Sequence, residues 1–233
     1  MEAKGYTTTA FLATLLSLTS VVSAAPFVAR EATGLSTGFN LIATIVGSSK
    51  QLSVPIQGAA LEGAHVGAGL NTAVLNATSP GQIFYQNGTV EEVSTDRSSI
   101  VTDGGTPLYP YGLDIILNAT DPSSPVAAAI NVGIGTQGVT LTTPASEPGV
   151  LHYGTTGFMA CDETLAYYGP SWHFAVVKTF EETAAIAAII PDNCVQINLL
   201  PLCATLEDLP AGSVSSHEFA NEVRCFESLN DIQ

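Results

Sequence analysis

From Gly38 onward, short apolar and β-branched runs alternate with clusters of Gly, Pro, Asn and Ser. This texture predicts strands rather than helices. The expected strands are Phe39–Val46, Gln51–Ile56, Ala73–Leu75, Gln82–Gln86, Leu113–Leu117, Val126–Val132, Val139–Thr142, Gly157–Ala160, His173–Val177 and Val195–Leu200. Turn signals stand between them at Asn87-Gly88, Asp103-Gly104-Gly105, Asp121-Pro122, Pro148-Gly149 and Gly169-Pro170. About ten short strands without long interleaved amphipathic helices predict a mainly antiparallel β-sandwich or barrel, not an α/β fold.

Two segments depart from this pattern. Thr179-Phe180-Glu181-Glu182 has the form of a capping box, and an Ala/Ile-rich run to Ile190 ends at Pro191. The stretch 179–190 reads equally as a short helix or as a loop inserted between strands. Further on, Ser215-Ser216-His217-Glu218 reads as a cap, with Phe219, Val223 and Phe226 at i, i+4 and i+7. That spacing predicts a C-terminal amphipathic helix, which Cys225 would staple down.

The N-terminus has a different pattern. Lys4 precedes an apolar stretch from Ala10 to Val22, followed by Val22-Ser23-Ala24-Ala25. Small residues at −3 and −1 predict a secretory signal cut after Ala24. An apolar core of about a dozen residues is too short for a bilayer of ~30 Å. The expected organisation is a signal at 1–24, a mobile lead at 25–36, a β-domain at 37–203 and a helix-bearing tail at 204–233.

Composition supports export and excludes some partners. Lys and Arg total 6 against 21 Asp and Glu, a net charge of −15. That balance repels phosphate backbones and argues against nucleic acid. Four cysteines, Cys161, Cys194, Cys203 and Cys225, predict two disulfides in an exported chain. Their smallest gap, nine positions, does not suit a Cys-x2-Cys zinc site, and neither metal nor cofactor is expected. Cys161 ends one expected strand and Cys194 begins another. If those strands pair antiparallel, Cys161 meets Cys194 and Cys203 is left for Cys225. The sequons at Asn76, Asn87 and Asn118 are expected N-glycosylation acceptors.

Candidate chemistry is sparse. Gly133-Ile134-Gly135-Thr136-Gln137-Gly138 matches the dinucleotide fingerprint by letter, but a β-branched run ending at Pro144 follows where a helix is required. A Gly-rich hairpin or bulge is expected instead. The chain has no His-Glu-x-x-His and no Gly-x-Ser-x-Gly elbow. His65 lies among small residues that leave room for a ligand, though a histidine bonded to backbone is the plainer expectation. Asp103, Asp114 and Asp162 are the acids nearest strand ends, and a pair of them across a cleft would suit glycoside hydrolysis. Tyr109, Tyr111, Tyr167 and Tyr168 could stack on sugar rings if exposed, whereas Trp172 is expected in the core.

A series of motifs adds a resemblance. His65-Val66-Gly67-Ala68-Gly69-Leu70-Asn71 is followed by Ala73-Val74-Leu75, Phe84-Tyr85-Gln86-Asn87-Gly88-Thr89 and Pro110-Tyr111-Gly112-Leu113. Ile130-Asn131-Val132-Gly133-Ile134-Gly135-Thr136, Gly157-Phe158-Met159-Ala160-Cys161-Asp162 and Pro191-Asp192-Asn193-Cys194-Val195 complete it. Over Phe39 to Leu200 the chain resembles an uncharacterised family of secreted fungal proteins, which implies a small extracellular β-domain and supplies no catalytic residue. The resulting expectation is a secreted, glycosylated, extracellular or cell-wall-associated domain, non-catalytic, engaging glycans or a host surface. The alternative is an extracellular polysaccharide hydrolase using a carboxylate pair.

Overall fold

The computed structural model describes Met1 and residues 34–48, 50–118, 120–121, 124–142, 147–181 and 190–232. Residues 2–24 of the expected signal, 25–33 of the lead and 182–189 of the helix-or-loop segment lie outside the described residues. The strands are β1 (Gly34–Ser36), β2 (Gly38–Ile45), β3 (Ala60–Gly67), β4 (Leu70–Asn76), β5 (Phe84–Asn87), β6 (Ser99–Gly104), β7 (Tyr109–Asp114) and β8 (Val126–Ala127). They continue as β9 (Ala129–Val132), β10 (Thr140–Leu141), β11 (Leu151–His152), β12 (Thr156–Thr164), β13 (His173–Glu181), β14 (Cys194–Ala204), β15 (Ala220–Asn221) and β16 (Val223–Cys225). A short helix, α1 (Val90–Ser94), follows β5.

Among the described residues, nine strands close an antiparallel barrel in the order β2, β14, β12, β13, β4, β9, β7, β6, β5 and back to β2. β3 runs beside β4 and bridges to β2 through Ile42 and Ala60. Alternation along each strand fills the interior: Phe39, Leu41 and Ala43 from β2, Phe158 and Ala160 from β12, Ala175 and Val177 from β13, and Val195, Ile197 and Leu199 from β14. Each large side chain removed from water in this way contributes about 1.5–3 kcal/mol. The residues between them form smaller clusters on the outer face. Met159, Cys161, Phe180 and Cys194 make one, and Ile42, Ala60 and Ile232 another.

Both bridges follow the scheme expected from the strand ends. Cys161 and Cys194 are register partners on β12 and β14, with Cα atoms 4.0 Å apart, and are disulfide-bonded. Cys203 is bonded to Cys225 across 5.1 Å between Cα atoms. Among the described residues, no helix is long and apolar enough to cross a membrane.

The expected C-terminal helix is not formed. Residues 205–232 run instead as a strap of turns and short strands whose β15 pairs with β5 and whose β16 pairs with β1, closing in one 3-10 turn at Leu229–Asp231. Phe226 exchanges backbone hydrogen bonds with Pro201 and Cys203 of β14, and Ile232 is buried against Ile42 and Ala60. An isolated helix of that length is marginal, while β1, β5 and β14 offer unpaired backbone to an extended chain. Val223, Arg224 and Cys225 fit the strand period, with Val223 and Cys225 buried. β1 also takes residues 34–36, the end of the expected mobile lead, into the fold.

Three further differences have local causes. Thr179 forms no capping box because the β12–β13 ladder continues to Glu181 opposite Thr156. The box forms at Thr89, whose hydroxyl accepts from the Glu92 N–H while the Glu92 carboxylate accepts from the Thr89 N–H. Gln51–Ile56 is irregular rather than a strand, and Ile56 from it closes over the core. β3 was not anticipated because half of its residues are Gly or Ala, which leaves no apolar alternation to read. Gly63 has a use there: a Cβ would sit 2.9 Å from the Asn71 Cβ on β4, so only glycine lets the two strands approach without displacement.

Candidate functional site

The β12–β13 hairpin carries the most chemistry. Its ladder closes at Thr164 opposite His173, and the connection 165–172 folds back through successive turns. The Tyr168 N–H donates to the Leu165 carbonyl, the Gly169 N–H to Ala166 and the Trp172 N–H to Gly169. Gly169 sits at φ +82°, where a side chain would be strained. The connection lies over the outer face of β3, β4 and β13, where Ala64, Val74 and Val176 make an apolar floor for Leu165, Tyr168 and Phe174.

Four rings meet in sequence on that face. Tyr168 and Phe174 lie 4.8 Å apart between centroids, tilted at 52°. Tyr167 meets Tyr168 at 5.3 Å and 68°, and His65 meets Tyr167 at 5.3 Å and 89°. Edge-to-face contacts of this kind bring the positive ring edge to a negative ring face and add about 0.5–1.5 kcal/mol each. Tyr167 is nonetheless 60% exposed, and Trp172 is 64% exposed.

The structure therefore gathers His65, Tyr167 and Tyr168 and leaves the other two expected tyrosines elsewhere. Tyr109 and Tyr111 lie on β7, the first exposed and the second packed against the main core. Two expectations are overturned. His65 is exposed and meets a tyrosine ring rather than lying bonded to backbone. Trp172 is outside the core because β13 begins one residue later and the tryptophan belongs to the turn.

The three strand-end acids are each engaged within the protein. On β12, Asp162 continues the inward row of Phe158 and Ala160, and on β13 His173 continues that of Ala175 and Val177. They meet at the end of the barrel, with His173 Nδ1 2.5 Å from Asp162 Oδ1. Ser53 donates to the other carboxylate oxygen. That bond first, and His173 after it, hold the Asp162 carboxyl below its ordinary value. Burial raises Asp114, against the opposing bond from Asn131 Nδ2 at 3.1 Å.

Asp103 accepts from His217 Nε2 at 2.7 Å and from the Tyr85 hydroxyl at 3.5 Å. The His217 ring also stands edge-on to Tyr85 at 4.9 Å. Burial, then the Asp103 charge, push the Tyr85 hydroxyl well above its ordinary value. The strap is latched here. Between it, residues 81–83 and β6 lies a cleft of about 330 Å³, where Asp103, Glu207 and Asp208 stand beside Gln82 and Thr102 and the aliphatic Ile83, Leu108 and Leu206. Sequence reading missed Ser53, and it had no signal that would join His217 to Asp103 across 114 positions.

The remaining candidates are placed as follows. The Gly-rich segment is a loop with Gly133, Gly135 and Gly138 at positive φ, and the strand β10 follows it. Gly112 of β7 lies back-to-back with Gly135, so closely that a Cβ on Gly112 would overlap the Gly135 backbone. Among the described residues, no group of three or more His, Cys, Asp or Glu is placed to hold a metal. Asn76 and Asn87 end β4 and β5, and Asn118 follows β7 in a turn where its side-chain oxygen accepts from the Thr120 and Asp121 N–H groups.

Comparison with known proteins adds a family. Residues 36–203 match a domain of unknown function, DUF7907. The chain is 35% identical over 206 residues to the antigenic protein SchS34 of Stachybotrys chartarum, an alignment covering 86% of this chain and 90% of that protein. No solved structure matches.

Proposed function

The chain belongs to the DUF7907 family of domains of unknown function, and from that premise we propose that it is a secreted, N-glycosylated, non-catalytic protein that engages glycans through the aromatic face. The observation carrying this reading is the pair of exposed rings, Tyr167 and Trp172, on one connection over the His65–Tyr167–Tyr168–Phe174 chain. Large aromatic surface left open beside a packed floor is costly in water unless something covers it. Export is supported by the N-terminal signal pattern, by two disulfides of the kind that persist in oxidising compartments, and by the sequons at or beside strand ends. The relative's designation as an antigenic protein fits a protein that leaves the cell.

A glycan array probed with the secreted chain after N-glycan removal tests this reading. Binding to a defined glycan class that falls when Tyr167 and Trp172 are both replaced by Ala is the expected result; an array without signal would overturn it. A second reading, polysaccharide hydrolysis, is favoured by Asp103, Glu207 and Asp208 lining one cleft. Against it, Asp103 is already bonded to His217, and the cleft lining holds no aromatic ring on which a sugar could stack. Release of reducing ends by the wild type but not by Asp208→Asn or Glu207→Gln would establish it.

A further inference from the structure

Resting on that reading, we infer that Tyr167 is the ring on which a sugar stacks, and that the site takes a single residue of a soluble, neutral glycan. Tyr167 is both open and held. It is 60% exposed, yet His65 stands 5.3 Å away on one side and Tyr168 5.3 Å away on another. Tyr168 is fixed in turn by Phe174 and by the floor of Ala64, Val74 and Val176. A ring already ordered loses little conformational freedom when a ligand lands on it. Trp172 is as exposed, but among the described residues it has no ring neighbour, so its ordering must be met on binding.

Ring geometry sets the size of the ligand. Successive interplanar angles are 89°, 68° and 52°, so no two neighbouring rings share a plane. A crystalline polysaccharide face needs several coplanar rings. Of the tyrosine and phenylalanine rings in the His65–Tyr167–Tyr168–Phe174 row only Tyr167 is exposed, and its face has room for one pyranose whose C–H groups meet the negative ring face.

Charge sets the class. The chain holds 21 acids against 6 Lys and Arg. Of the four described Lys and Arg, Lys178 on β13 is already bonded to Glu163 at 2.6 Å, Lys50 and Arg97 also have carboxylate partners, and Arg224 lines a different cleft, with Val93 and Leu141. A uronic acid polymer would enter a repulsive field without a free ammonium beside Tyr167's own hairpin to offset it. Neutral hexoses and N-acetylhexosamines escape that penalty.

The test uses the secreted chain after N-glycan removal. It is titrated calorimetrically with hexamers of β-1,3-linked glucose, β-1,4-linked N-acetylglucosamine and galacturonic acid, and exposed to crystalline cellulose and chitin powders. At least one neutral hexamer should bind. Tyr167→Ala should weaken it about tenfold, Trp172→Ala less, and Tyr167→Phe within about twofold. The galacturonic acid hexamer should not bind, and the powders should not deplete the protein. Neutral binding that survives Tyr167→Ala, equal binding of the acidic hexamer, or depletion by powder would overturn this inference while leaving the glycan-binding reading intact. If none of the glycans binds, both fall.

Discussion

Replacing Cys203 and Cys225 together by alanine removes the cross-link that ties the strap to β14, and the structure sets the size of the loss. The bridge spans 22 positions. Chain entropy released to the unfolded state for a loop of that length is about 3 kcal/mol. Cys225 is fully buried, and the Cys203 sulfur fills the place where a Cβ on Gly34 would lie. Losing both sulfurs leaves a void that adds about 1 kcal/mol. The expected cost, about 4 kcal/mol, is a large part of the 5–15 kcal/mol available to a domain. The barrel should still fold, because β15–β5, β16–β1 and the His217–Asp103 contact remain. Urea unfolding should be followed by far-UV circular dichroism, since the one tryptophan is 64% exposed and reports burial poorly. Hydrogen exchange should show the Val214, Ala220 and Phe226 amides opening before those of β12 and β13. A loss below about 1 kcal/mol, or strap amides as protected as in the wild type, would show that strand pairing and not the bridge holds the strap.

Three other perturbations follow from single contacts. Gly112→Ala should destabilise by about 1–3 kcal/mol or more through overlap with the Gly135 backbone, while Gly154→Ala, at φ +52° in open space, should cost only about 1–2 kcal/mol. Equal thermal shifts would contradict the close β7–loop approach. Asp162 is held below its ordinary value, so its contribution is present above the unfolded carboxyl value of about 3.9 and is lost as pH falls through the lower folded value. Ser53→Ala should raise the Asp162 midpoint in carboxyl NMR and destabilise most near neutral pH, and an unchanged midpoint would refute this. His217→Ala should cost about 1–3 kcal/mol, reduced from the fully buried case because the two side chains are 19% and 16% exposed. A double-mutant cycle with Asp103→Asn that shows no coupling would remove the latch.

Strands β2, β12, β13 and β14 and the two bridges were legible because they follow local rules. Gly157–Ala160 and Val195–Leu200 are short apolar runs, and their ends place Cys161 opposite Cys194. Barrel rather than sandwich was not legible, because closure rests on the long-range pairings of β2 with β5 and β4 with β13. The strap misled in a specific way. Phe219, Val223 and Phe226 satisfy a helical spacing, Val223 and Cys225 also satisfy a strand spacing, and only available edges elsewhere in the fold decide between them. The same four-residue cap signature appears at Thr89, Thr179 and Ser215, yet among the described residues only Thr89 forms the box; Thr179 lies instead in the β12–β13 ladder. On the aromatic face, sequence named His65, Tyr167 and Tyr168 separately. Their meeting depends on β3 lying beside β4 and β4 beside β13, which no local pattern announces.

Chemical-shift mapping tests the central claim most directly. With the isotope-labelled chain and a neutral glucan or N-acetylglucosamine hexamer, saturable shifts are expected at His65, at residues 165–172 and at Phe174. The amides of Ile83, Asp103 and Leu206–Leu209 around the strap cleft should stay still. Shifts confined to that cleft, with the aromatic face unmoved, would contradict it.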